Sequence, residues 1–283
     1  MSVPRTPYIP RRKRWLQACS QWLLLGGLLR SLTYRSGLHG HLGVTRHSVR
    51  LPERQRLPRP LKIAFASDFH AGPSTHPAIF DELFACLQRE QVDLLLLGGD
   101  YVSGAARYAE VLCAGLAACH APLGKFAVLG NHDLATDETC ITELFAQAGV
   151  QMLVNRAVGL PAPFGQVSVC GMDEAWLGEA NARLTFARAG TVRILLVHAP
   201  DGLLKLSGQR YHIGFAGHTH GGQIALPDGT PLVRPLGPVS RVHYHGRIPV
   251  PGNGDLIVSR GVGCSTIPVR LNADPELVIC TLQ

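Results

Sequence analysis

Short apolar runs recur along this chain, and most of them end in Gly, Asp, Asn or His. Residues 61–67, 92–97, 125–129, 166–170, 192–197, 213–216, 256–259 and 277–281 are such runs. Runs of this length bounded by turn residues predict strands, and the unbroken Val-Asp-Leu-Leu-Leu-Leu of 92–97 predicts one buried on both faces. Between them the period lengthens. Ile79, Leu83, Cys86 and Leu87 lie at helical spacing, so 77–90 reads as a helix, as do 107–119 and 138–148. Residues 47–60, with Leu51-Pro52, Leu57-Pro58 and Pro60, read as a first edge strand and a Pro-rich approach to the next. Strand alternating with helix predicts an α/β fold. The strand-rich last third predicts a second sheet packed on the first. No domain boundary is expected between about 45 and 283.

The first 44 residues read differently. Arg11-Arg12-Lys13-Arg14 precedes an apolar run over 15–29 that contains Gln17, Ser20 and Gln21. That run is shorter than the roughly 20 apolar residues of a spanning helix. Arg30 to Arg35 follow it, not the small residues of a cleavage site. The expectation is a helix lying in a membrane interface, with Trp15 and Trp22 near headgroup depth. A short helix docked on the protein's own core and a true span are the alternatives. Charge supports the division. Residues 1–60 hold twelve Lys/Arg and one acid, Glu53, while the rest holds fifteen Lys/Arg and nineteen Asp/Glu. A basic arm on a mildly acidic body suits an anionic membrane better than nucleic acid. No nucleic acid or protein partner is expected, and the expected location is the cytoplasmic face of the inner membrane. The eight cysteines include no Cys-x-x-Cys, which fits a reducing compartment.

The candidate chemistry lies where the strands end. The runs lead into Asp68-Phe69-His70, Gly99-Asp100, Gly130-Asn131-His132-Asp133, His198 and Gly217-His218-Thr219-His220-Gly221. Ligands of α/β sheets bind beyond the carboxyl ends of strands. Oxygen and imidazole donors without thiolate suit Mn, Fe or Zn. Asp-x-His and His-x-His, if extended, each place two side chains on one side. Seven ligands, Asp68, His70, Asp100, Asn131, His198, His218 and His220, are too many for one ion. They fit two divalent ions bridged by a carboxylate, an arrangement suited to displacement at phosphorus by a metal-bridging hydroxide.

In this order the blocks resemble those of the calcineurin-like metallophosphoesterase superfamily. The resemblance implies a four-layer α/β/β/α sandwich of two mixed sheets over 45–283. It implies one metal on Asp68, His70 and His220, another on Asn131, His198 and His218, and Asp100 bridging. His132 would be the general acid or a phosphate contact, oriented by Asp133. Gly171-Met172-Asp173-Glu174-Ala175-Trp176, Gly221-Gly222-Gln223-Ile224 and Ser259-Arg260-Gly261 look like the YaeI- and YkuE-like branch of bacterial membrane-associated phosphodiesterases. The implied activity is hydrolysis of a phosphodiester or pyrophosphate bond in a phosphorylated small molecule or lipid-linked substrate. The alternatives are a UDP-2,3-diacylglucosamine pyrophosphatase of lipid A synthesis and an inactive scaffold of the same fold. Gly99-Asp100-Tyr101-Val102-Ser103-Gly104 lacks the Asp-Arg of protein phosphatases. His243 and His245 are expected at the surface or the substrate rim, and His39 and His41 in solvent. Arg260 and Arg270 are expected either on substrate phosphate or on backbone carbonyls.

Overall fold

In the computed structural model, which describes residues 27–283, the apolar runs divide their side chains between two faces. Helix α1 (Leu28–Arg35) is followed by β1 (Gly43–Val49), β2 (Leu61–Ala66), α2 (Ala78–Glu90), β3 (Leu94–Leu97), α3 (Glu110–Ala118), β4 (Lys125–Ala127), α4 (Asn131–Leu134), α5 (Glu138–Gln147) and β5 (Gln151–Met152). Next come β6 (Arg156–Gly159), β7 (Val167–Gly171), α6 (Ala182–Phe186), β8 (Val192–Leu196), β9 (Ile213–Ala216), β10 (Gly246–Ile248), β11 (Asp255–Val258) and β12 (Glu276–Leu282). One six-stranded sheet runs β1-β12-β2-β3-β4-β5 and the other β10-β11-β9-β8-β7-β6. Strands β2 to β5 are parallel and β12 is antiparallel to β2; β7, β8, β9 and β11 are parallel between antiparallel edges.

Strand alternation produces the layers. Leu94 and Leu96 point into a core shared with Ile194, Leu196 and Phe215 of the other sheet. Leu95 and Leu97 point the opposite way, onto Leu83 of α2, Leu112 of α3 and Phe145 of α5. Leu195 and Val197 likewise face away from the shared core, onto Phe186 of α6. The result is the expected helix–sheet–sheet–helix sandwich with mixed sheets.

Three details differ from the sequence reading. The first edge strand lies earlier, at Gly43–Val49, where it pairs in parallel with β12. Its half-exposed Gly-Val-Thr-Arg-His-Ser-Val carries no apolar period, and the 44/45 boundary falls inside it. Residues β5, β6 and β10 are short edge strands that the pattern did not mark. His39, expected in solvent, is fully buried, with its Nε2 3.7 Å from Cys264 Sγ; burial lowers its pKa to about 4. Helix α1 sits against the body: Arg30 donates to the carbonyls of Gly72 and Thr75, and Tyr34 stacks on His76 at 4.3 Å. Most of the expected membrane-interface helix falls in 1–26, outside the described residues. Among the described residues no helix is long and apolar enough to cross a membrane, and the seven cysteines are all free.

Candidate metal centre

All seven candidate ligands lie beyond the carboxyl ends of β2, β3, β4, β8 and β9, with Asn131 at the first residue of α4, on segments joined by backbone bonds. Asp68 N–H donates to Gly99 O (2.9 Å), His70 N–H to Asp100 O (2.9 Å) and Gly217 N–H to His198 O (2.8 Å). The chain does not stay extended there. Asp68, His70, Asp100, His218 and His220 have φ of 55°, 43°, 54°, 70° and 53°. Left-handed turns, not strand alternation, therefore bring the paired side chains together, which corrects the extended reading of Asp-x-His and His-x-His. Each such residue costs about 1–3 kcal/mol and persists only where its surroundings enforce it. Close packing enforces it here: a Cβ on Gly130 would sit 2.2 Å from Asp100 Oδ1.

The ligand atoms form two groups that meet at one carboxylate. Asp68, His70 and His220 offer atoms within 4.8 Å of one another, as do Asp100, His198 and His218. Asp100 Oδ2 lies 3.5 Å from His70 Nε2 and 3.4 Å from His198 Nε2. Asn131 Oδ1 completes the second group, 3.1 Å from His198 Nε2 and 3.0 Å from His218 Nδ1. His70 Nε2 faces His220 Nε2 at 3.0 Å.

These donors fit cations. His198 Nδ1 lies 2.8 Å from the carbonyl of Gly98, which can only accept. That bond puts a proton on Nδ1 and, in the neutral ring, leaves the Nε2 lone pair directed at the cluster. Burial lowers the pKa of His70, His218 and His220, favouring the neutral imidazoles that ligation needs. His198 shows the demand for positive charge. Burial alone would lower its pKa, yet Asp100 and Asp68 raise it to about 10.

His132 lies beside the first group. Its ring is edge-on to His70 at 4.7 Å, and its backbone N–H donates to Asp100 Oδ1 at 2.8 Å. Its ring nitrogen also falls within 4.8 Å of the His70 and Asp100 ligand atoms. The Asp133 carboxylate, expected to orient His132, makes its hydrogen bonds with backbone N–H groups: buried, it accepts from Gly130 (2.9 Å), Asp100 (2.8 Å) and Tyr101 (2.9 Å). It ties two ligand loops together, and none of these three bonds is to the His132 ring.

Of the neighbouring groups, Ser103 was not marked by the sequence, Trp176 stood only within a family motif, and Arg260, Arg270 and His245 were weighed as possible substrate contacts. Ser103 Oγ is 2.8 Å from His70 Nδ1, and the Trp176 ring stands edge-on to His218 at 4.6 Å. Arg270 is buried, donates to the carbonyls of Gly263, Ala273 and Arg260, and lies 3.1 Å from His220 Nδ1. It therefore follows the carbonyl alternative. Arg260 faces Glu276, as does His245, each at 3.5 Å. Long-range packing sets the partners of these groups, which their local sequence does not give. A cleft of about 390 Å³ is lined by Asp100, Asn131, His132, His218 and His220, together with Arg234 and Thr266.

The family model for calcineurin-like phosphoesterases matches residues 61–222. The chain is 32% identical over 232 residues to the phosphodiesterase YaeI of Escherichia coli (strain K12), covering 79% of this chain and 82% of that one. It is 29% identical over 228 residues to YkuE, an uncharacterized metallophosphoesterase of Bacillus subtilis (strain 168), covering 78% and 79%. An uncharacterized metallophosphoesterase of Aquifex aeolicus (strain VF5) is 29% identical over 242 residues, covering 82% and 89%.

Proposed function

The chain belongs to the calcineurin-like phosphoesterase family, and from that premise we propose that it is a two-metal hydrolase of phosphodiester or pyrophosphate bonds. Membership makes it a metal-dependent phosphoric ester hydrolase. The observation that carries the two-metal reading is Asp100 Oδ2, placed between His70 Nε2 and His198 Nε2 at nearly equal distances. Asp68, His70 and His220 would hold one ion, Asn131, His198 and His218 the other, and Asp100 would bridge. Oxygen and imidazole donors suit Mn, Fe or Zn. When bound, such a pair lowers the pKa of water and neutralises charge on phosphoryl oxygens.

The chain's own groups do the rest. His132, at the cleft edge, gives a proton to the departing oxygen as its bond to phosphorus breaks. Water's oxygen stays on phosphorus. Asp133 holds the loops of Asp100 and Asn131 in register. The name of YaeI supports a diester. A complete ligand set argues against an inactive scaffold.

We also propose that the membrane-associating part lies within residues 1–44, ahead of a phosphoesterase domain ending at 283. The basic charge of that segment and its apolar run over 15–29 support this, and with it a place on the cytoplasmic face of the inner membrane. The test of function is turnover of the purified protein on a panel of phosphodiesters, phosphomonoesters and a nucleotide–lipid pyrophosphate, with metals supplied singly. Diesters or the pyrophosphate should be cleaved, and chelation should abolish the activity reversibly. Activity on monoesters alone would overturn the proposal.

A further inference from the structure

A buried cation stands behind one half of the metal centre. The Arg270 side chain is 2% exposed. Its Nε–H donates to Gly263 O (2.9 Å), Nη1–H to Ala273 O (2.7 Å) and Nη2–H to Arg260 O (2.9 Å), and Nη2 lies 3.1 Å from His220 Nδ1. A charge taken out of water is costly unless its hydrogen bonds are complete. Only a planar fork with five N–H groups reaches partners arranged in this way.

The segment that Arg270 grips also holds Asp68. Arg260 and Gly263 lie in the turn after β11, where Val262 N–H donates to Ser67 O (2.9 Å) and Gly263 N–H to Asp68 O (2.7 Å). The fit leaves no room to slip: a Cβ on Gly263 would sit 1.8 Å from Phe69 O. Arg270 therefore joins the ring of His220 to the backbone of Asp68, two ligands assigned to the same ion. The other ion's ligands are held differently. His198 Nδ1 lies 2.8 Å from Gly98 O, and Asn131 follows the Gly130 N–H that Asp133 ties down.

The N-terminal chain seats this brace. Arg270 backbone N–H donates to Leu38 O (2.8 Å). The next residue, His39, is fully buried, with its Nε2 3.7 Å from Sγ of Cys264 and 3.3 Å from the His76 N–H nitrogen. Cys264 is fixed in turn to the loop that follows His70. Its N–H donates to Thr75 Oγ1 (2.9 Å), and its carbonyl accepts from Ser74 Oγ (2.6 Å). Arg30 of α1 donates to the carbonyls of Gly72 and Thr75 in the same loop. The docked segment thus bears on the chain around all three ligands of one ion: Asp68 and His220 through Arg270, and His70 through the loop after it.

We propose that Arg270 is the positioning residue of the site formed by Asp68, His70 and His220, and that the docked segment from Arg30 to His39 is part of that site's support. Loss of the brace weakens one ion and spares the other. The proposal rests on the two-metal reading. Outer partners that orient metal ligands are worth about 10–100-fold in metal affinity. The guanidinium acts by its geometry, so charge alone does not replace it. A lysine ammonium is a point charge that cannot span the same partners.

The test is calorimetric titration of Mn²⁺ alone into the full chain after chelation. Wild type should bind two ions. Arg270→Gln and Arg270→Lys should each bind one ion as wild type does and the other about tenfold or more weakly. In a His220→Ala background Arg270→Gln should add no further loss, because both changes act on the same ion. His39→Ala should weaken that ion in the same selective way. His39→Gln, which keeps an acceptor for the His76 N–H, should restore it. Equal weakening of both ions, wild-type affinity for both in Arg270→Gln, or full affinity in Arg270→Lys overturns the proposal. Should Arg270→Gln not fold, the His39 pair decides by the same outcomes. A wild-type chain that binds a single ion overturns the two-metal reading and, with it, the site-selective claim.

Discussion

Removing the Asp133 carboxylate tests the architecture of the centre, because that side chain holds two ligand loops by backbone bonds alone. In Asp133→Ala the N–H groups of Gly130, Asp100 and Tyr101 lose their acceptor in a site closed to solvent. A buried donor left unpaired costs about 1–3 kcal/mol, so three should cost roughly 3–6 kcal/mol after partial relaxation. For a domain of this size the melting temperature should fall on the order of 10 °C. Metal affinity should fall with it, because the freed segments carry Asp100 and Asn131. Asp133→Asn should lie between. Its carbonyl can replace Oδ2, which accepts from Gly130 and Asp100, but its amide would face the Tyr101 N–H. Thermal unfolding and metal analysis of the two variants measure this. If Asp133→Ala keeps its melting temperature and metals but slows turnover only for poor leaving groups, the reasoning is wrong and the carboxylate acts through His132.

Two further outcomes are expected. His132→Ala should keep its metals and lose about 10²–10⁴-fold in kcat on diesters with poor leaving groups, the range of a general acid; an equal loss with p-nitrophenol as leaving group would reduce the residue to positioning. Glu276 is buried, which raises its pKa, but hydrogen bonds from His245, Thr45 and the Arg260 backbone outweigh that and hold it at about 2. Its contribution is complete above about 4.5, the ordinary value, and is lost as pH falls toward 2; the shift corresponds to on the order of 3 kcal/mol. Acid unfolding of Glu276→Gln should be flatter across that window, and an unchanged pH profile would contradict this.

The candidate ligands were legible because each strand before them is a short apolar run closed by a polar residue. Leu94–Leu97 before Gly98-Gly99-Asp100 is the clearest case. The sheet order was less so. Edge strands such as Gln151–Met152 and Gly246–Ile248 bury too little to impose a period. The left-handed turns at Asp68 and His218 were hidden, since neither residue type requires that conformation. The burial of His39, which was misread, and the backbone bonds of Asp133 were hidden for a related reason. A buried imidazole against Cys264, and a carboxylate spent on three backbone N–H groups, are set by contacts distant in sequence.

The central claim is that Asp100 joins two ions into one hydrolytic centre. The direct measurement is metal content per chain with diester or pyrophosphate turnover, in wild type and Asp100→Asn, as metal is added back after chelation. The account predicts two ions per wild-type chain, with activity rising as the second binds, and loss of bound metal and activity together in the variant. An Asp100→Asn protein that holds two ions and turns over at the wild-type rate would contradict it.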